Sequence, residues 1–98
     1  MKITKTTNGQ SVSLFMEGRL DTTTAPQFEA EIESSTEGVT ELILDFAKLE
    51  YISSAGLRVL LAAQKTMNKQ GKMIIRNACD DIREVFEITG FSDILTVE

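Results

Sequence analysis

Two adjacent hydroxyls, Ser53 and Ser54, stand where an apolar strand-like run gives way to a helix-like one, and Ala55 and Gly56 follow them. Leu42, Ile43 and Leu44 come before the pair; Leu57, Leu60, Leu61 and Ala63 recur at helical spacing after it. A helix start leaves several backbone N–H groups without intrahelical partners and carries the positive end of the helix dipole. Serine there is a good N-cap, and glycine lets another backbone or a bound group come close. A serine hydroxyl at such a place also suits phosphorylation, because a helix N-terminus tolerates the resulting dianion. Most serine pairs ahead of a helix only cap it, so spacing alone leaves both readings open. Two acids stand near in sequence. Asp21 precedes Thr22, Thr23 and Thr24, ahead of the helix cap rather than at it, and Asp45 lies close to the end of the strand leading to the serines. A carboxylate pair of Asp21 and Asp45 is conceivable, but loop and strand-end acids are more often solvated or capping groups.

The totals narrow the chemistry. Ninety-eight residues make one domain, spanning 1–98, with a single core. Ten Lys and Arg against 15 Asp and Glu give a net charge of −5, which argues against a nucleic-acid partner and suits a protein partner. The chain has no His, so Ser-His catalysis, His metal ligation and a His pH switch are excluded. No metal and no cofactor are expected. Cys79 is the sole cysteine; no internal disulfide is possible, and a reducing cytoplasmic setting fits, with Cys79 read as a small, partly buried side chain. The N-terminus lacks an apolar targeting core and no segment reaches membrane-spanning length, so no membrane association is expected.

The elements that must position Ser53 and Ser54 follow in order. Lys2 to Thr6 is strand-like, and Asn8-Gly9 before a second alternating run (Val12, Leu14, Met16) signals a hairpin. Gly18-Arg19-Leu20-Asp21 leaves that strand; Thr24 with Gln27 matches a capping box, Pro26 fits a first helical turn, and Phe28 and Ile32 line a helix to about Ser35. Val39 to Phe46 is a strand whose Leu42-Ile43-Leu44 run predicts burial on both faces. A helix from about Ala55 to Lys69 stops at Gln70-Gly71, and Met73-Ile74-Ile75 forms a short strand. Asp80 or Asp81 caps a third helix carrying Ile82, Val85 and Phe86, ended by Gly90; Ile94, Leu95 and Val97 then lie against the core. Strand–helix–strand units with short loops imply a largely parallel sheet, and the hairpin makes it mixed. Functional loops of such sheets gather at one strand end, so Asp21 and Ser53-Ser54 are expected on one rim.

Three stretches carry a resemblance. Gly18-Arg19-Leu20-Asp21, Leu42-Ile43-Leu44-Asp45-Phe46, and the run from Tyr51 to Leu61 with Ser-Ser-Ala-Gly-Leu at its turn resemble the STAS-domain anti-sigma factor antagonists of bacteria. The resemblance spans essentially the whole chain. It implies an α/β fold: a STAS-like mixed β-sheet of about four to five strands with an N-terminal hairpin, packed against helices. It also implies a partner-switching cycle. The unmodified antagonist binds an anti-sigma factor that is itself a serine kinase, which frees the sigma factor. Phosphorylation breaks the complex, and a serine phosphatase restores it.

Matched residue by residue, the phosphoacceptor falls on Ser54, with Ser53 as the alternative. Asp21, Thr22, Thr23, Ser53, Ser54, Ala55, Gly56 and Arg58 form the partner-binding set. Members with a defined switch often carry Asp where Ser53 stands here. Arg58, one helical turn beyond Ser54, either pairs with the phosphate or is a solvated surface arginine. The implied protein is no enzyme and is a monomer or weak dimer. Two other readings compete: a non-switching STAS-like subunit of a lipid transporter or stress-signalling assembly, and a small flavodoxin-like or phosphotransfer enzyme. The second lacks a phosphate-binding G-x-x-x-x-G-K-[ST] loop and a G-x-G-x-x-G fingerprint.

Overall fold

A computed structural model describes every residue from Met1 to Glu98. The elements are β1 (Lys2–Asn8), β2 (Ser11–Leu20), α1 (Ala25–Ser35), β3 (Glu41–Ile52), α2 (Ser54–Asn68), β4 (Lys72–Arg76) and α3 (Asp80–Thr89), followed by a 3-10 turn at Phe91–Asp93. The strands lie in the order β1-β2-β3-β4. β1 runs antiparallel to β2, whereas β2–β3 and β3–β4 are parallel, so the sheet is mixed as expected. An isolated bridge from Val97 to Ile75 extends it by one short contact. The hairpin forms, but its tight turn is Gly9-Gln10: Asn8 already pairs with Ser11. Gly9 takes the positive φ of 63° that the first position of a two-residue loop requires.

Alternation places the core. Val12, Leu42 and Met73 share one register row and Leu14, Leu44 and Ile75 the next, and all six are buried. Phe28 and Ile32 of α1, Leu60 and Met67 of α2, and Ile82 and Phe86 of α3 join the same apolar cluster. All three helices thus feed the core on that sheet face. Ile43 points the other way and is only half-buried, which corrects the expectation of burial on both faces.

Several boundaries also move. β2 continues to Leu20 through two register shifts, near Phe15/Glu17 and at Gly18/Arg19, where Gly18 adopts φ 110°. β3 runs on to Ile52 rather than ending at Phe46, because the extended β2 keeps pairing with it, Glu17 opposite Lys48 and Leu20 opposite Ile52. Neither Asp80 nor Asp81 caps α3. Both lie in its first turn, where acids suit the dipole, and Cys79 is the N-cap residue, without a side-chain cap bond. Cys79 is exposed, not partly buried. Gly90 ends α3 in the left-handed conformation, as expected. In the tail Leu95 is buried but Ile94 is 46% exposed, because the 3-10 turn rotates it outward. No helix is long and apolar enough to cross a membrane.

Candidate functional site

The parallel pairing of Leu20 with Ile52 brings the ends of β2 and β3 side by side. Ser53 N–H donates to the Leu20 carbonyl at 2.8 Å, so Asp21 and Ser53 leave the sheet from adjacent points on one rim. There the two serines divide their work. Ser53 is the extended N-cap of α2, its Oγ accepting from Gly56 N–H at 3.4 Å, while Ser53 O accepts from Leu57 N–H at 3.0 Å. Ser54 is the first helical residue; it is exposed and its hydroxyl makes no hydrogen bond within the chain. Its Oγ is thus the free hydroxyl of the pair.

A profile of the STAS domain matches residues 2–98. BtrV of Bordetella bronchiseptica is 39% identical over 84 residues, covering 84% of this chain and 72% of BtrV. The anti-sigma-B factor antagonist of Listeria monocytogenes is 31% identical over 90 residues, covering 89% of this chain and 78% of that protein. This chain belongs to the STAS-domain family of anti-sigma factor antagonists. The phosphorylated form of the Bacillus cell fate determinant SpoIIAA shares the fold, with a TM-score of 0.77 at 22% identity over 99% of this chain and 91% of that one.

In this STAS domain the loop after β2 is built by Asp21, not by a threonine cap. Asp21 Oδ1 accepts from Thr23 N–H at 3.0 Å, Thr23 Oγ1 at 2.7 Å and Thr24 N–H at 3.1 Å. The Asp21 carbonyl accepts from Ala25 N–H at 2.8 Å. Thr24 occupies the N-cap of α1 in helical conformation with no side-chain cap bond, so the expected capping box with Gln27 does not form. Its hydroxyl is turned back instead, donating to the Arg19 carbonyl at 2.7 Å and accepting from Asp21 N–H at 2.9 Å. Gln27 Nε2 donates to the Met1 carbonyl at 3.1 Å. Asp21 is the hub because a carboxylate accepts several N–H and O–H groups at once, whereas a threonine Oγ has one donor and less capacity.

These bonds hold the Asp21 carboxyl below the usual carboxylate range. The Thr23 hydroxyl is the largest cause, desolvation opposes it, and the Thr24 and Thr23 N–H groups and the Thr24 hydroxyl add to it. With the folded value lowered, the stabilising contribution of Asp21 is complete above the unfolded value, about pH 3.9, and is lost as pH falls through the folded value. Carboxyl NMR should find Asp21 titrating below the ordinary aspartate value. Asp21→Asn should remove this part of the acid-dependent loss of stability, read from urea melts at pH 7 and pH 3; identical acid sensitivity in the variant would refute the assignment.

Gly56 is close-packed rather than open to a ligand. A Cβ there would lie 2.7 Å from Leu20 Cγ, 2.9 Å from Leu20 Cδ2 and 3.0 Å from Ile52 Cγ1. The glycine lets α2 sit directly on the last core residues of β2 and β3. In Gly56→Ala, overpacking of about 1–3 kcal/mol competes with up to about 1 kcal/mol gained in helix propensity. The expected result is a net loss of stability in chemical denaturation, with amide shifts at Ser53 and Ser54. Unchanged stability and shifts would mean that the helix start yields freely.

The rest of the expected partner set meets around one groove. Thr22, Ala25, Pro26 and Glu29 on one side and Ala55, Arg58 and Val59 on the other line a shallow depression of about 230 Å³ between the starts of α1 and α2. Thr22, Ala55 and Arg58 therefore lie together beside Ser54, while Gly56 is buried beneath them. Asp45 does not join the rim. It pairs opposite Phe15 and Arg76 in mid-strand, its Oδ1 accepting from Ala47 N–H at 2.9 Å and Asn77 Nδ2 at 3.1 Å. Phe15 precedes Asp21 by six residues of mostly extended chain, about 20 Å, so no carboxylate pair forms.

Sequence reasoning missed one feature of the rim. The Arg19 guanidinium lies 4.3 Å from the centre of the Tyr51 ring, an exposed aromatic opposite Arg19 in the β2–β3 register. Both belong to stretches that carry the family resemblance, but only the strand pairing brings them into contact.

Proposed function

We propose that this STAS domain acts by partner switching. Unmodified, it binds an anti-sigma factor that is itself a serine kinase, and this frees the sigma factor. Phosphorylation of Ser54 abolishes the binding, and a serine phosphatase restores it. In this reading the chain contributes a surface and an acceptor hydroxyl, and the kinase supplies the catalysis. The Ser54 oxygen attacks the γ-phosphorus of ATP, the bond from that phosphorus to the β–γ bridging oxygen breaks, and the hydroxyl proton passes to a base of the kinase.

The observation that carries this reading is the division of labour at the start of α2. Ser53 spends its hydroxyl on the cap, whereas Ser54 presents an exposed hydroxyl without a partner. Two facts about relatives support it: the Listeria monocytogenes relative is an anti-sigma-B factor antagonist, and SpoIIAA has been solved in a phosphorylated form. The family's frequent acid at the Ser53 position is absent, but here Ser53 takes the cap and leaves the Ser54 hydroxyl exposed.

The test is incubation with ATP and candidate serine kinases of the same cell, followed by intact-mass and site-mapping analysis of wild type, Ser53→Ala and Ser54→Ala. One phosphate is expected, lost only in Ser54→Ala. Loss only in Ser53→Ala would move the acceptor by one residue. No phosphate with any kinase, alongside tight binding to another partner, would point to a non-switching subunit.

A further inference from the structure

Ser54 and Arg58 stand four residues apart on α2, a spacing that places side chains on one helix face with Cβ atoms about 5–6 Å apart. Both are exposed. The chain has four arginines, and three are engaged. Arg76 Nε donates to Glu98 Oε1 at 3.0 Å, an Arg83 terminal nitrogen donates to the Glu98 carbonyl at 2.7 Å, and Arg19 stacks on Tyr51. Arg58 has no ion pair, no hydrogen bond and no aromatic partner.

Its charged neighbours leave it free. Glu29 of α1 lines the same groove but makes no ion pair with it. Asp21, on the loop ahead of α1, has its Oδ1 committed to Thr23 and Thr24. Arg58 also lies near the positive end of the α2 dipole, which does not favour a cation. An anion on the first helical residue would supply the missing counter-charge, and an acid four residues ahead of a base is the better orientation of such a pair. The guanidinium fork matches phosphate oxygens two at a time.

Resting on the reading of Ser54 as the phosphoacceptor, we infer that Arg58 is the residue that receives the phosphate, pairing with phosphorylated Ser54 along the surface of α2. The pair fixes the phosphate at the mouth of the α1–α2 groove and favours its dianionic form. The second ionisation of phosphoserine lies near pH 6, and a neighbouring cation lowers it, so the group carries its full charge at neutral pH.

Phosphoserine placed at position 54 during synthesis gives the modified protein without a kinase, and a ³¹P NMR titration reads the phosphate directly. Its second pKa is expected to be lower by about half a unit or more in the wild-type background than in Arg58→Gln, with Arg58→Lys between the two. Arg19→Gln removes an equal charge elsewhere on the rim, and should leave the titration at the wild-type position. The same pKa in wild type and Arg58→Gln overturns the inference. So does an equal rise in Arg58→Gln and Arg19→Gln, which would report only the overall charge. Thermal melts of each variant establish that it is folded. A kinase that fails to label Ser54 would sink the proposed switch without altering this titration, so the two failures are distinguishable.

Discussion

Phosphorylated at Ser54, the protein is expected to bind its anti-sigma factor about 100-fold more weakly, a loss of about 3 kcal/mol, while its melting temperature changes little. Phosphate adds about −1.5 to −2 charges and strong acceptors to a surface that must shed water to meet its partner. The fold itself has little reason to object. Ser54 is exposed at the first helical position, where an anion suits the dipole, and the core residues Leu20 and Ile52 lie beneath Gly56, away from the new group. Calorimetric titration of the partner into unmodified, phosphorylated and Ser54→Ala protein measures the effect, with Ser54→Ala expected near the unmodified affinity. Equal affinity of the phosphorylated and unmodified forms would refute a switch at this residue. A large fall in melting temperature would show that the phosphate acts through unfolding instead.

Gly71→Ala is expected to be among the most damaging single-methyl additions to this fold. A Cβ at Gly71 would lie 1.9 Å from the Thr40 carbonyl oxygen, 2.6 Å from its carbon and 2.8 Å from Thr40 Cα. All three are backbone atoms, so no side-chain rotation relieves the clash. The same carbonyl accepts from Lys72 N–H at 2.9 Å, where β4 starts beside β3. Separating the two strands enough to admit a methyl group breaks this bond and disturbs the Glu41–Lys72 row. The loss should reach about 3 kcal/mol, the upper end of ordinary overpacking, which lowers the melting temperature of a domain this size by roughly 12–24 °C. Gly38→Ala is the contrast: nothing lies within 4 Å of its Cβ, and its cost comes only from a positive φ of 72°. A Gly71→Ala protein melting at or above Gly38→Ala would show that the β3–β4 junction is looser than described.

Gly71 also shows how the sequence is read and where that reading stops. As a residue type after Gln70 it announces the end of α2, and α2 does end nearby, at Asn68 with Lys69 as its cap residue. What demands a glycine there is the approach of Thr40, some 30 positions earlier in the chain, and no local pattern contains that. Ser53 and Ser54 divide in the same way. Their types and the helical spacing after them placed a helix start at the pair, because capping and side-chain period are properties of a few neighbouring residues. Which serine caps and which stays free depended on the Leu20 carbonyl accepting from Ser53 N–H, a contact between strands.

The core was largely legible for the same local reason. Alternation in Val12, Leu14 and Met16 and helical spacing in Phe28 and Ile32 marked residues that are all buried. The amino-acid sequence by itself determined the kinds of element, their order, the core face of β2 and of the helices, and the position of the serine turn, whereas the single core face of β3 showed only in the fold. Only the tertiary structure decided the continuation of β3 to Ile52, the separation of Asp45 from the rim, the Arg19–Tyr51 contact and the hub role of Asp21. The extended strands and the Arg19–Tyr51 contact rest on the register between β2 and β3, and a register joins residues about 30 apart whose side chains carry no local sign of one another. The Asp21 hub is short-range, but there several oxygens compete for the same few donors, and only the folded loop settles which of them wins.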